Sequence, residues 1–163
     1  MKVIISLKKL HTASNTRGIG VYTRELVASL QKKFPKDKFI PTSHTVGDLG
    51  TELIHYPYFD PFFLTLSLTK NIKTVVTIHD LIPLRFPQHF PTGIRGRLKW
   101  LIQKNLVKRV DHIITDSLSS KQDIERIIGI QSSKISVIPL GPNKAEKFPV
   151  RMTKKILDSH HMP

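Results

Sequence analysis

Six short runs rich in β-branched residues recur along the chain, at 3–7, 39–42, 52–56, 73–78, 112–115 and 135–138, with helix-period segments between them. This alternation limits the possible folds more than any other feature. Strands separated by helices need crossover connections, and crossovers build a mostly parallel sheet with helices on both faces. The expected fold is α/β and doubly wound. Ile19, Tyr22, Leu26, Leu30 and Phe34 recur at three- and four-residue steps and predict one buried helix stripe. Leu98, Leu101, Ile102 and Leu106 predict a second. A third helical segment, 120–128, opens on Ser120-x-x-Asp123, a relative of the capping box, and stops at Gly129. Residues 141–150 carry prolines and lysines and read as a linker, with one more candidate helix at 152–159.

Composition narrows the partners. At 163 residues the chain has room for one domain, taking ~150 residues per domain. Its 26 Lys+Arg against 12 Asp+Glu give a formal charge of +14. That excess predicts an anionic partner: nucleic acid, a phosphorylated small molecule or an acidic lipid surface. The absence of cysteine excludes a disulfide scaffold, cysteine zinc sites, iron–sulfur clusters and thiol catalysis. No apolar run approaches the ~20 residues that cross a bilayer. The first run is cut short by Lys8 and Lys9, so no secretory signal is read and the chain is expected to stay unexported.

In an open parallel sheet the ligand crevice lies beyond the carboxyl ends of the strands. Several polar groups fall there. A polar loop, 11–17, follows the first run and leads into Gly18-Ile19-Gly20 at the start of a helix. The third run ends in His55-Tyr56-Pro57-Tyr58, the fourth in His79-Asp80 and the fifth in Asp116-Ser117. Gly18 and Gly20 either allow a tight turn and close helix packing or let backbone N–H groups hold a phosphate. A dinucleotide fingerprint would need glycine where Thr23 stands, and no Walker-type loop occurs. His79-Asp80 is either a loop-fixing pair or a functional one, since a titratable pair ending a central strand is expensive to bury without use. Ser117 or Ser120 has a plain alternative as a helix cap, and His55 and Tyr56 read as ordinary rim residues. No metal site is expected: there is neither H-E-x-x-H nor a D-x-D pair.

Residues 94–109 are amphipathic and carry Arg95, Arg97, Lys99, Lys104, Lys108 and Arg109, with Trp100 among them and no acidic residue. Two readings stand: a solvated face over a core stripe, or a helix lying on anionic headgroups.

Four blocks, in order, resemble the GT-B glycosyltransferases of the large family 4, the retaining type. They are Arg17-Gly18-Ile19-Gly20-Val21-Tyr22-Thr23-Arg24-Glu25-Leu26; Thr77-Ile78-His79-Asp80-Leu81-Ile82-Pro83-Leu84 with Phe86-Pro87; Ile113-Ile114-Thr115-Asp116-Ser117 with Ser120-Lys121-Gln122-Asp123-Ile124; and Lys134-Ile135-Ser136-Val137-Ile138-Pro139-Leu140-Gly141. The resemblance implies that 1–141 form a Rossmann-like, acceptor-side N-terminal half, and that 142–163 are the linker and helix leading to a C-terminal donor-binding half.

By the same resemblance, Gly18 and Gly20 would approach the donor diphosphate through backbone amides. His79 would contact the transferred sugar, and Asp80 would support that loop or meet the acceptor. Arg17, Tyr22, Asp116 and Ser117 would line the cleft. The donor is implied to be a nucleotide-sugar, with no other cofactor and no metal. The acceptor is a lipid-linked or cell-surface saccharide, reached from the cytoplasmic face of an anionic membrane on Arg95, Arg97, Lys99, Trp100, Lys104 and Lys108. The family's donor motif, two glutamates separated by seven residues with a nearby Lys or Arg, does not occur before Pro163. An excised domain, a split subunit or a truncated product is therefore expected, inactive alone. Two other classes stay open: a non-catalytic binding module for a phosphorylated ligand or partner, and a basic nucleic-acid-binding domain.

Overall fold

In the computed structural model the six runs become strands β1 (Lys2–Ser6), β2 (Lys38–Thr42), β3 (Leu53–Tyr56), β4 (Lys73–Thr77), β5 (His112–Thr115) and β6 (Ile135–Val137). Each lies within a residue of its expected bounds. The structure describes residues 1–7, 18–43, 50–69 and 71–141. The strands pair in parallel throughout, in the order β2-β1-β3-β4-β5-β6. Helices α1 (Gly18–Lys33), α2 (Ile82–Arg85), α3 (Gly93–Lys108) and α4 (Leu118–Asp123) lie in the β1–β2, β4–β5 and β5–β6 connections. The expected linker and helix at 142–163 lie outside the described residues, as do Arg17 and the 11–17 loop.

Register decides what each face of the sheet holds. Tyr56 pairs with Val76, Val76 with Ile113 and Ile113 with Ile135. Paired residues in a parallel ladder point the same way, so these four share one face. There they pack with Leu106 and Val107 of α3 and with Ile124 and Ile128. The neighbouring positions Val3, Ile5, Leu53 and Phe39 face the other way, against Val27 and Leu30 of α1. Helices therefore cover both faces, as the alternation requires.

Three local expectations change. Ser117, not Ser120, caps α4: its Oγ accepts from the Ser120 N–H at 3.1 Å, because Ser117 is the last extended residue before the helix. Ser120 Oγ instead donates to the His79 carbonyl at 2.8 Å. The chain then widens into a π-helical turn, Ile124–Ile128, closed by Gly129 at φ 80°, the left-handed cap that favours glycine. Phe34 lies past the end of α1 and is 44% exposed, so the α1 stripe stops one turn short.

The third correction concerns α3. Leu98 and Leu101 are 60% and 58% exposed and Ile102 36%, with Ile94 still more open. The inward side is Gly96, Gln103, Leu106 and Val107. Fully buried Gln103 turns that side in: its amide donates to the Asp60 and Phe63 carbonyls and to Thr65 Oγ1, tying α3 to the loop after β3. The helix has two apolar stripes, and this buried amide belongs to the inward one.

Candidate active site

Strand order reverses between β1 and β3, and the ligand crevice of such a sheet opens above that switch point. His79 follows β4, the strand next to β3. Its Nδ1 lies 2.7 Å from Asp116 Oδ2, beyond β5, and its Nε2 lies 3.2 Å from the Pro57 carbonyl oxygen, beyond β3. Three neighbouring strands thus converge on one imidazole. The His79 and Asp116 side chains keep 18% and 20% of their surface, so the pair is partly open to solvent.

Tyr22, on the second turn of α1, stands edge-on to the His79 ring with centroids 4.9 Å apart. Its hydroxyl is 3.2 Å from Thr77 Oγ1, and that same oxygen is 2.9 Å from His55 Nε2. His55 and Thr77 belong to the α1 face of the sheet, which explains why a helix residue reaches them. Burial pushes the Tyr22 hydroxyl up and lowers His55 to about 4, with His79 as a second cause, so His55 is a neutral imidazole near pH 7. The glycine turn and His79 consequently share one rim, Tyr22 standing two residues after Gly20.

The remaining expected residues take other positions. Asp80 is exposed, and its carboxylate accepts from the Ile82 N–H at 3.0 Å at the start of α2. Ser117 is the α4 cap. Gly18 opens α1 with free space where a Cβ would stand, and Gly20 is buried. His55 and Tyr56 lie beneath the rim on opposite faces of the sheet, both buried. Beside them Tyr58 donates to Asp60 at 2.8 Å; burial and that carboxylate raise its hydroxyl. Thr77 and the Pro57 carbonyl were not singled out from the sequence. No residue pattern marks a backbone carbonyl or a strand threonine as a site element.

On α3, Arg95, Arg97 and Lys108 are exposed. Trp100, expected in the membrane-facing set, is half-buried and packs against the core. Lys104 Nζ sits 5.8 Å from the Trp100 ring and Lys99 Nζ 5.2 Å from the Phe63 ring. The outward surface is Ile94, Leu98, Leu101 and Ile102 between basic flanks. Among the described residues, no group of three or more His, Asp or Glu is placed to hold a metal, and no helix is long and apolar enough to cross a membrane.

Fold and rim together define a parallel α/β domain that carries a histidine–carboxylate pair at the carboxyl ends of its strands. The sequence profile of Glycosyltransferase Family 4 matches residues 42–145, well over half the chain, and the chain belongs to that family, as an N-terminal domain of a family 4-type glycosyltransferase. The match takes in His55, His79 and Asp116 and begins after Gly18 and Gly20. The O-antigen chain mannosyltransferase RfbU of Salmonella typhimurium is 33% identical over 82 residues, which is 50% of this chain and 22% of that protein. A (2S)-3-sulfopropanediol dehydratase of Klebsiella oxytoca is 32% identical over 87 residues, 52% of this chain and 10% of that protein. The chain thus spans about a fifth and a tenth of these relatives.

Proposed function

We propose that this domain is the acceptor side of a retaining, GT-B-type hexosyltransferase that moves sugar from a nucleotide-sugar to a lipid-linked or cell-surface saccharide. The observation that carries the reading is the His79–Asp116 pair at the head of the sheet in a family 4 domain. His79 contacts the transferred sugar, and Asp116 and the Pro57 carbonyl hold its ring from both ends. Asp80 braces the loop next to the acceptor. Amides of the Gly18–Gly20 turn face the donor diphosphate, where negative charge grows as the glycosidic bond to phosphate breaks. Fixed N–H dipoles stabilise that charge without reorganising. The departing phosphate takes the acceptor proton, so no strong protein base is required, nor a metal.

The nucleotide and the identity of the sugar are read by a second lobe, and this domain alone is inactive. The likeness to RfbU, an O-antigen chain mannosyltransferase, supports a hexose donor and a polysaccharide-building role. The outward face of α3, apolar with basic flanks, rests on the anionic cytoplasmic face of the inner membrane, where each basic residue contributes about 1 kcal/mol.

The test supplies labelled nucleotide-sugars to membranes carrying the protein with its donor-binding lobe and follows label into the lipid extract. Incorporation that disappears with His79→Ala is the expected result. Incorporation unaffected by that change overturns the reading.

A further inference from the structure

A groove of about 320 Å3 opens between one flank of α3 and segment 82–91, which leaves the His79 strand. Its volume falls at the lower end of small-molecule sites, roughly 300–1,000 Å3. Phe62, Pro83, Leu84, Phe90 and Trp100 form its walls, and Arg97 is the one charged residue among the described residues that line it. Leu84 and Trp100 are anchored in the core, so two of the walls are fixed by packing. Among the described residues that line the groove, Arg97 and Thr92 carry the polar side chains. The occupant that fits has an apolar body and one anionic end.

The surroundings point the same way. Arg97 stands one helical turn before Leu101, so the charged edge of the groove borders the outward apolar face of α3. Pro83 and Leu84 lie four and five residues beyond His79 in the chain. We propose that this groove takes the first segment of the apolar chain of a membrane lipid phosphate, with the phosphate on Arg97, and so presents a lipid-linked acceptor toward the His79 rim. This rests on the reading of a lipid-linked acceptor given above. It differs from the docking of α3 on a bilayer in its apolar residues, which there are Ile94, Leu98 and Leu101, while Arg97 borders both surfaces.

Trp100 is the chain's only tryptophan, so its fluorescence reports on the groove directly. The probe is decyl phosphate, titrated below its micelle concentration, with inorganic phosphate as control. A saturable spectral shift is expected with decyl phosphate and none with inorganic phosphate. Arg97→Glu should weaken the binding about tenfold or more, the worth of one charge-assisted hydrogen bond. Phe90→Glu, at a position 42% exposed, should weaken it similarly without unfolding the domain. Leu98→Glu should leave it unchanged. Absence of a saturable shift, equal binding by Arg97→Glu, or the same shift with inorganic phosphate overturns the proposal. Flotation with anionic vesicles runs in parallel: flotation without decyl phosphate binding removes the groove and keeps the membrane reading. Decyl phosphate binding without flotation keeps the groove and removes the bilayer-docking surface.

Discussion

His79 Nδ1 and Asp116 Oδ2 are 2.7 Å apart although 37 residues separate them in the chain. Adjacent parallel pairing of β4 and β5 brings the two strand ends side by side. Replacing Asp116 by Asn keeps the shape but removes the carboxylate that fixes the imidazole. In the complete enzyme, kcat/KM should fall by about ten- to a hundredfold, as expected from loss of one charged hydrogen bond. The loss should appear mainly in kcat, because a mispositioned ring affects the reacting sugar more than overall binding. An unchanged kcat would remove Asp116 from the mechanism.

His55 makes the fold sensitive to acid. In the folded state its pKa is lowered to about 4, while the unfolded chain titrates near 6.5. Between those values the unfolded chain binds a proton that the folded one refuses. Stability from this group is complete above the unfolded value and is lost as pH falls through the window, by about 3 kcal/mol at most. Below the folded value nothing further is lost from it. Urea unfolding of His55→Gln at several pH values should show a flatter dependence than the parent; equal slopes would contradict the assignment.

Gln103 holds the loop after β3 against α3. Gln103→Leu leaves the Asp60 and Phe63 carbonyls without their donor in a partly buried site, while its own Oε1 has no hydrogen-bond partner among the described residues. Destabilisation of about 2–4 kcal/mol is expected, read as a lower urea midpoint with unchanged slope. A neutral result would mean that the loop finds other donors.

The outward face of α3 offers a contrast. Leu98→Glu with Leu101→Glu alters side chains that are 60% and 58% exposed, so stability should move by no more than about 0.5 kcal/mol per site. Flotation with anionic vesicles should nevertheless fall sharply, through lost apolar insertion and added negative charge. A stability loss of core size would place these residues inside the fold.

Strand positions were legible because β-branched runs of four to six residues have few other uses between helical segments. Gly129 marked a helix end because a positive φ there favours a residue without a Cβ. The helical stripe of α3 was legible only as a period. Leu98, Leu101 and Ile102 recur correctly, yet Gly96, Gln103 and Val107 recur on the opposite side of the same helix. Hydrophobicity favoured the leucines; a buried glutamine amide with three acceptors lies on the side that turned inward.

For the site, His79 and Asp116 stood out as polar residues ending apolar strands, but their pairing did not. The nearest carboxylate in sequence, Asp80, is used to start α2. Local periodicity and residue chemistry depend on neighbours a few positions away, so the chain by itself determined its strands, its α/β class and the polar composition of the rim. Pairing of His79 with Asp116, the approach of Tyr22 and the outward turn of α3 arise from contacts between distant segments. Those depend on strand register and on which side chains can be satisfied when buried, and only the assembled sheet decides them.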